Sequence, residues 1–400
     1  MLMPGMKLLR VIASMDPAYG GPCQGIRNIV PTLEKIGIHN EVVSMDDPSS
    51  SFLGKDSFPI HAIGPSRGPW SYTPKLSQWL DENLNRFDAV LIHGLWLHYG
   101  FTTSKRVHDF RNRKRATGNA APLKLFVMPH GMLDPYFQRA PDRKLKAARN
   151  WIYWKLIEKN VINKADGVFF TCEEELQLAR LPFTPYKPKK ELNVGYGIQP
   201  PPRYTQTMDT AFFDKCPTVK NQRYFLFLSR IHEKKGADLL VKAYLKIAKP
   251  GFPKLVIAGP GMDTPYGQQL KQIVENENAT DSIFFPGMLA GEAKWGAFYN
   301  CEAFVLPSHQ ENFGIAVVEA LACEKPVLIS NQVNIWREIK EAGGGMVAPN
   351  TMEGTEELLS RWMNFSADER LTMNQKARAT FEKHFSIEPA ARRFVGALKG

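Results

Sequence analysis

Residues 307–330 read PSHQENFGIAVVEALACEKPVLIS. A short apolar strand over 302–306 runs into Pro307-Ser308, and a polar loop leads to Asn312-Phe313-Gly314. An apolar helix over 315–322 follows, and a second strand over 326–329 closes the unit. Strand, loop, helix and strand in this order build a parallel sheet with helices on its faces. Glu311 and Glu319 stand eight residues apart around the start of that helix. A helix N-terminus presents unpaired N–H groups and partial positive charge, which suits a phosphate or a polyol. Glu319 lies among Ala316, Val317, Val318, Ala320 and Leu321, where a carboxylate is costly unless paired or hydrogen-bonded. Ribose hydroxyls would provide such a partner. The alternative is a surface Glu snorkelling to solvent.

The same alternation extends outward in both directions. Upstream, strands are expected at 224–228, 254–258 and 283–285, with helices at 236–248, 266–276 and 294–300 between and after them. Downstream, helices are expected at 355–364, 367–384 and 389–398. Nearer the N-terminus, 7–14, 41–44, 89–93, 123–128 and 167–171 read as strands, and 24–36, 79–87 and 173–180 as helices. The pattern breaks around 196–217, where Pro200-Pro201-Pro202 can neither extend a helix nor pair in a central strand. The expected organisation is α/β: residues 1–203, a linker at 204–219, a second domain at 220–382, and a helix over 383–400 that could cross back to the first. Two Rossmann-like domains with parallel sheets facing across a cleft are expected, with ligands beyond the carboxyl ends of the strands.

The bulk properties agree with this. At 400 residues, one core would be oversized, so two domains are expected. A composition 44% hydrophobic and 23% charged is that of a globular protein. No apolar run approaches the length of a transmembrane helix, and MLMPGMKLLRVIAS is too short a run for a signal peptide. Five scattered cysteines fit reduced thiols in a cytoplasmic protein, not a disulfide framework or a zinc site. The net charge of +11 makes anionic partners plausible: nucleotide sugars, acidic lipid surfaces or nucleic acid. Residues 139–164, RAPDRKLKAARNWIYWKLIEKNVINK, mix Lys and Arg with Trp151, Ile152, Trp154, Leu156 and Ile157. This reads as a basic amphipathic helix, able to lie on an anionic membrane or to pack its Trp face on its own domain. The latter is favoured for the Trp face, with the basic face free to touch headgroups.

Several strand ends carry groups suited to chemistry. Strand 224–228 ends in Ser229-Arg230-Ile231-His232-Glu233-Lys234-Lys235-Gly236. Two cations about five residues apart before a glycine and a helix would clamp a diphosphate, though a solvated basic loop has the same composition. Gly259 and Gly261 follow one strand, and Met288 and Leu289 the next. His93 and Trp96 follow the strand 89–93, and His130 the strand 123–128. Trp96 offers a face on which a sugar can stack. Gly20 and Gly21 follow the first strand. Asp46-Asp47 is not an Asp-x-Asp metal grip, and no such motif is visible elsewhere.

These motifs, in this order along nearly the whole chain, resemble the retaining glycosyltransferases of the GT-B fold, glycosyltransferase family four. The segment with Glu311 and Glu319 is similar to that family's Glu-x7-Glu signature. The resemblance implies that Glu311 contacts the transferred sugar and that Asn312, Phe313 and Gly314 bind sugar or phosphate through backbone N–H groups. It gives Glu319 the ribose hydroxyls, Arg230 and Lys235 the diphosphate (with Lys234 as the rival), and Gly259, Gly261, Met288 and Leu289 the border of the base. It puts Gly21 near the diphosphate, and His130 at the donor sugar and the reacting centre. Gly20, His93, Trp96 and His130 would line the acceptor side. Glu324 departs from the pattern, standing where glycine is usual before Lys325-Pro326.

The implied activity is sugar transfer, with retention, from a UDP- or GDP-linked donor to a saccharide or lipid-linked acceptor. The setting would be polysaccharide or glycolipid synthesis, cytoplasmic or peripheral on the cytoplasmic face of the membrane. No cofactor and no metal are implied, because basic residues and helix dipoles replace Mg²⁺ at the departing diphosphate. The rivals are a sugar-nucleotide epimerase or phosphorylase on the same fold, a basic nucleic-acid-binding protein, and a non-catalytic nucleotide-binding module. The nucleic-acid reading lacks a helix-turn-helix or an aromatic-studded sheet.

Overall fold

The computed structural model describes residues 5–118, 123–140 and 143–400. The first four residues of the N-terminal segment, and Pro141 and Asp142 of the basic segment, lie outside the described residues. The chain divides into two units. One comprises Met1–Gly197 with Ile387–Gly400, the other Ile198–Ser386.

The first unit holds a seven-stranded sheet ordered β3-β2-β1-β4-β5-β6-β7. Its strands are β1 (Met6–Ile12), β2 (Ile38–Ser44), β3 (Ile60–Ala62), β4 (Ala89–His93), β5 (Lys124–Met128), β6 (Gly167–Phe170) and β7 (Glu191–Asn193). The second unit holds a six-stranded sheet ordered β10-β9-β8-β11-β12-β13. There the strands are β8 (Tyr224–Leu228), β9 (Lys254–Ala258), β10 (Ile283–Gly287), β11 (Ala303–Leu306), β12 (Val327–Ser330) and β13 (Gly345–Ala348). Every neighbouring pair is parallel, as in Leu8↔Ala89 and Ala303↔Phe225. Strands such as AVLIH and AFVL are buried along their whole length, which is why they read as continuous apolar runs. Strand order reverses between β1 and β4 in one sheet and between β8 and β11 in the other. Such switch points open a crevice at the carboxyl ends of the strands.

Three expectations need correction. Residues 204–219, read as a linker, contain the helix Gln206–Lys215 and a turn at Pro217–Val219, both within the second unit. Phe212 is buried there against Tyr224, and Asn300 donates to Asp209, so the proline triplet precedes a packed element. The helix His98–Ala116 was not expected at all. Its buried face is mostly small and polar (Gly100, Thr102, Thr103, Ser104) and its last turn is basic, so the apolar period is faint. The basic segment is not one helix. It runs as Lys144–Tyr153, a π-helical turn Trp154–Glu158, and Lys159–Lys164. Trp154 is fully buried on Phe183, whereas Leu145, Trp151, Ile152 and Leu156 are exposed, so only part of the Trp face packs inward.

The helix Ile387–Lys399 belongs to the first unit. Ala391, Phe394 and Leu398 join Leu8, Leu91 and Phe126 in one core, with Phe394 edge-on to Phe169. Among the described residues no helix is long and apolar enough to cross a membrane.

Candidate functional site

In the second unit, the loops after β8 and β11 meet. Gly236 has φ 68° and ends the turn Glu233–Lys235; a Cβ there would collide with the Pro307 carbonyl. His309 N and Ser308 Oγ both donate to the Lys234 carbonyl at 2.9 Å, and Ser330 Oγ donates to the Ser308 carbonyl at 2.5 Å. The Glu311 backbone is held in turn, donating to the Gln332 carbonyl and accepting from Asn334 N, each at 2.9 Å. This framework places Lys235 Nζ on Glu311 Oε2 as an ion pair, with Lys235 nearly buried. Arg230, from the same loop, is exposed and makes no ion pair among the described residues.

Glycines bring further backbone to this place. Gly259 (φ 146°) and Gly261 (φ 114°) pack against the Ser229 and Ile231 carbonyls, leaving no room for a Cβ. Ile231 N donates to the Pro260 carbonyl at 2.8 Å, and Gly259 N to the Gly287 carbonyl at 2.9 Å. Met288 is exposed and Leu289 buried. Gly314 (φ 76°) opens the helix Ile315–Ala322, next to Asn312, whose Oδ1 accepts from Asn334 Nδ2 at 3.4 Å. Phe313 is buried edge-on to Phe385.

Glu319 is neither free nor snorkelling. Its Oε1 takes Lys294 Nζ at 2.7 Å, and Lys294 also lies 4.1 Å from the Trp295 ring centroid. Burial pushes the Glu319 carboxyl above its ordinary range, and the nearby ammonium works against that shift. Lys294 was not expected as a site residue. It lies on the helix Gly291–Asn300, in a sequence, GEAKWGAFYN, with no motif to mark it.

The glutamate at the turn after the helix Ile315–Ala322 has a visible conformational consequence. Glu324 adopts φ 62°, while Lys325 N reaches back to the Ala320 carbonyl at 2.9 Å. That is the left-handed helix terminator usually given to glycine.

In the first unit, β1 and β4 carry a polar chain through the interior. Arg10, fully buried on β1, donates through Nε to Asn40 Oδ1 (2.9 Å) and through Nη1 to His93 Nε2 (3.1 Å). His93 Nδ1 lies 2.9 Å from His130 Nε2. The Arg10 guanidinium rests over the Phe394 ring, and its Nη2 has no partner among the described residues. These groups border a cavity of about 30 Å³ shared with Gly25 and Tyr196. Burial, and then the Arg10 charge, hold His130 down to about 3. Burial also lowers His93 well below its usual value, helped by His130 and Arg10. Both imidazoles are therefore neutral. Arg10 and Asn40 were not expected. An arginine inside the strand KLLRVIAS was the available signal.

His130 has φ 54°, and the following Gly131 N donates to the Glu175 carboxylate. Gly20 (φ 76°) precedes the helix Gly21–Lys35, and the Gly21 carbonyl accepts the Tyr196 hydroxyl at 2.9 Å. Trp96 (φ 68°) is only half-exposed, because its ring packs on Phe183 and Trp154. Its backbone N donates to buried Glu158 at 3.3 Å. Desolvation raises the Glu158 carboxyl to about 8, keeping it protonated at neutral pH. Asp46 is occupied by Ser14 Oγ and Met15 N, and Asp47 by Ser49.

Residues 209–380 match the family described as glycosyl transferases group 1. An uncharacterised glycosyltransferase of Methanocaldococcus jannaschii is 28% identical over 184 residues, 45% of each chain. An alpha-monoglucosyldiacylglycerol synthase of Streptococcus pneumoniae is 28% identical over 180 residues, 44% of this chain and 39% of that one. The chain thus spans less than half the length of these curated relatives. The structure of Anabaena HepE in complex with UDP and glucose superimposes with a TM-score of 0.73 at 15% identity, covering 98% of this chain and 99% of that one.

Proposed function

We propose that this chain, which has the GT-B fold and whose residues 209–380 match the glycosyl transferases group 1, moves a sugar from a nucleotide-diphosphate donor to a separate acceptor with retention. The observation that carries the reading is the joint after β8 and β11. It sets Arg230, Lys235 and Glu311 on one backbone frame at the switch point of the sheet. Arg230 is free to take a diphosphate. Lys235 can leave Glu311 for the phosphate while Glu311 turns to a sugar hydroxyl. Glu319 takes the ribose, with Lys294 holding its charge in place. A uridine donor is favoured by the UDP and glucose bound to HepE.

In the proposed reaction the bond from the anomeric carbon to the β-phosphate oxygen breaks, and a bond to the acceptor oxygen forms on the same face. The acceptor proton passes to the departing phosphate. Arg230 and Lys235 stabilise the charge that develops there, so transfer needs no metal.

We further propose a membrane-lipid acceptor, reached from the cytoplasmic face. Leu145, Trp151, Ile152 and Leu156 are all more than half exposed, with Leu145 at 90%. Lys144, Lys146, Arg149 and Lys155 flank them. An apolar strip between cations suits an anionic bilayer surface. One similar protein is named a monoglucosyldiacylglycerol synthase. The five cysteines are free and buried, as in a reducing compartment.

The test is thermal stability against UDP, GDP, ADP and their sugars, with and without Mg²⁺, using Arg230→Ala as control. A ligand at 100 times its Kd adds about 2.7 kcal/mol. A shift with UDP, independent of Mg²⁺ and lost in the variant, is expected. No shift with any nucleotide would overturn the donor site. Product analysis then separates transfer from epimerisation or phosphorolysis, neither of which links the sugar to a separate acceptor.

A further inference from the structure

The chain Arg10–His93–His130 has only one possible polarity. A guanidinium offers five N–H donors and no acceptor. His93 Nε2, at 3.1 Å from Arg10 Nη1, must therefore be the bare nitrogen of its ring. A neutral imidazole carries its proton on the other nitrogen, so His93 is the Nδ1–H tautomer. That proton points along the 2.9 Å contact to His130 Nε2, which must accept it. His130 in turn carries its proton on Nδ1. No described residue makes a hydrogen bond with that Nδ1, and the residue as a whole is half-buried.

The reverse polarity would set an N–H of His93 against an N–H of Arg10 in a fully buried place. An imidazolium at His130 would lose the bond from His93 and add a second cation beside an unpaired guanidinium. Both arrangements are strongly disfavoured in the interior, where an unmet donor or an uncompensated charge has no water to turn to.

We propose that Arg10 is a positioning residue that fixes His130, through His93, as the Nδ1–H tautomer, so that His130 serves as a hydrogen-bond donor to an oxygen of the transferred sugar and not as a base. The role at the sugar rests on the reading of the protein as a glycosyltransferase; the tautomer does not. A donor there steadies a sugar hydroxyl and leaves the acceptor proton to the departing phosphate. This also accounts for a buried arginine that meets no carboxylate: a neutral or acidic residue at position 10 could not enforce the direction of the chain.

The experiment is ¹⁵N spectroscopy of the full chain labelled at histidine, with the His130 and His93 signals assigned by difference against His130→Gln and His93→Gln. His130 and His93 are expected with a protonated Nδ1 and a bare Nε2, unchanged from pH 5.5 to pH 8. A protonated Nε2 on His130, or its titration near the ordinary histidine value, would overturn the proposal, and this arm needs no variant at position 10. In Arg10→Met the Nδ1–H signature of His130 is expected to give way to a mixture of tautomers, and in Arg10→Lys, which keeps a donor, to persist. A signature unmoved in folded Arg10→Met would also overturn it. Where transfer is measurable, kcat of Arg10→Met should fall at least tenfold with the UDP-induced thermal shift unchanged. Absence of any transfer in the wild type, with the tautomers as stated, would sink the glycosyltransferase reading and leave the tautomer standing.

Discussion

Lys235 and Glu311 neutralise each other in the free protein, although the sequence resemblance gives one to the phosphates and the other to the sugar. A ligand that engages both must part them. The pair is nearly buried on the lysine side, so removing one partner strands a charge. Lys235→Ala and Glu311→Ala should each cost about 1–3 kcal/mol of stability, less than a fully buried pair would. The double variant should cost less than the sum. Urea unfolding of the four proteins measures the coupling, and simple additivity would show that the pair is inert. Turnover should fall about 10²-fold or more in Lys235→Ala. Arg230→Ala, lacking any partner to strand, should lose turnover with stability changed by no more than about 0.5 kcal/mol.

Glu158 should make the protein less stable in mild alkali. Its carboxyl is raised from 4.5 to about 8 by burial. Between those values the folded state holds a proton that the unfolded state has released. The stability it contributes is therefore complete below pH 4.5 and lost as pH rises to 8, at about 1.4 kcal/mol per pH unit. Thermal unfolding of wild type and Glu158→Gln at pH 6, 7 and 8 checks this. The wild type should decline more steeply than the variant; parallel curves would contradict it. Because Glu158 accepts from Trp96 N, the loop after β4 should loosen over the same range.

At Glu324 a side chain occupies a backbone conformation with φ 62°. Glutamate is strained there and glycine is not. Glu324→Gly should raise stability by about 1 kcal/mol, read as a higher denaturation midpoint at constant slope. A fall in stability would mean that the glutamate makes compensating contacts.

The exposed strip of the basic segment should drive binding to vesicles. Sedimentation with phosphatidylglycerol vesicles, but not phosphatidylcholine alone, is expected, and it should weaken as salt is raised. Trp151→Glu with Ile152→Glu should release the protein without unfolding it, since both side chains are already exposed. Retention of the double variant on anionic vesicles would place the contact elsewhere.

Much of the fold was legible because parallel strands are buried on both faces. YFLFL, KLVIA and AVLIH announce themselves as apolar runs, and their carboxyl ends mark where loops can do chemistry. The helix His98–Ala116 was not legible, because it packs through glycine, threonine and serine and carries a basic last turn. The helix Gln206–Lys215 was hidden behind a proline triplet that read as a linker. At the candidate site, glycine-rich loops and the Glu311–Glu319 spacing could be read from order alone. The partners Lys294 and Arg10 could not, because pairing across elements depends on which helix lies over which strand. Arg10 was the more discoverable of the two, since a charge flanked by Leu8, Leu9, Val11 and Ile12 in a buried strand demands a partner.

The helix Ile387–Lys399, which follows the second unit in sequence, completes the core of the first. On the ribosome, residues 5–197 emerge while Phe394, which covers Arg10, and Leu398, whose carbonyl accepts Lys124 Nζ, are still untranslated. The second unit, by contrast, is contiguous in sequence. The unit whose first strand is made first cannot complete its core, and leaves the surface around Leu8, Leu91 and Phe126 uncovered, until some 190 further residues have been synthesised. A chain that stops short of this helix would leave that apolar surface exposed to solvent.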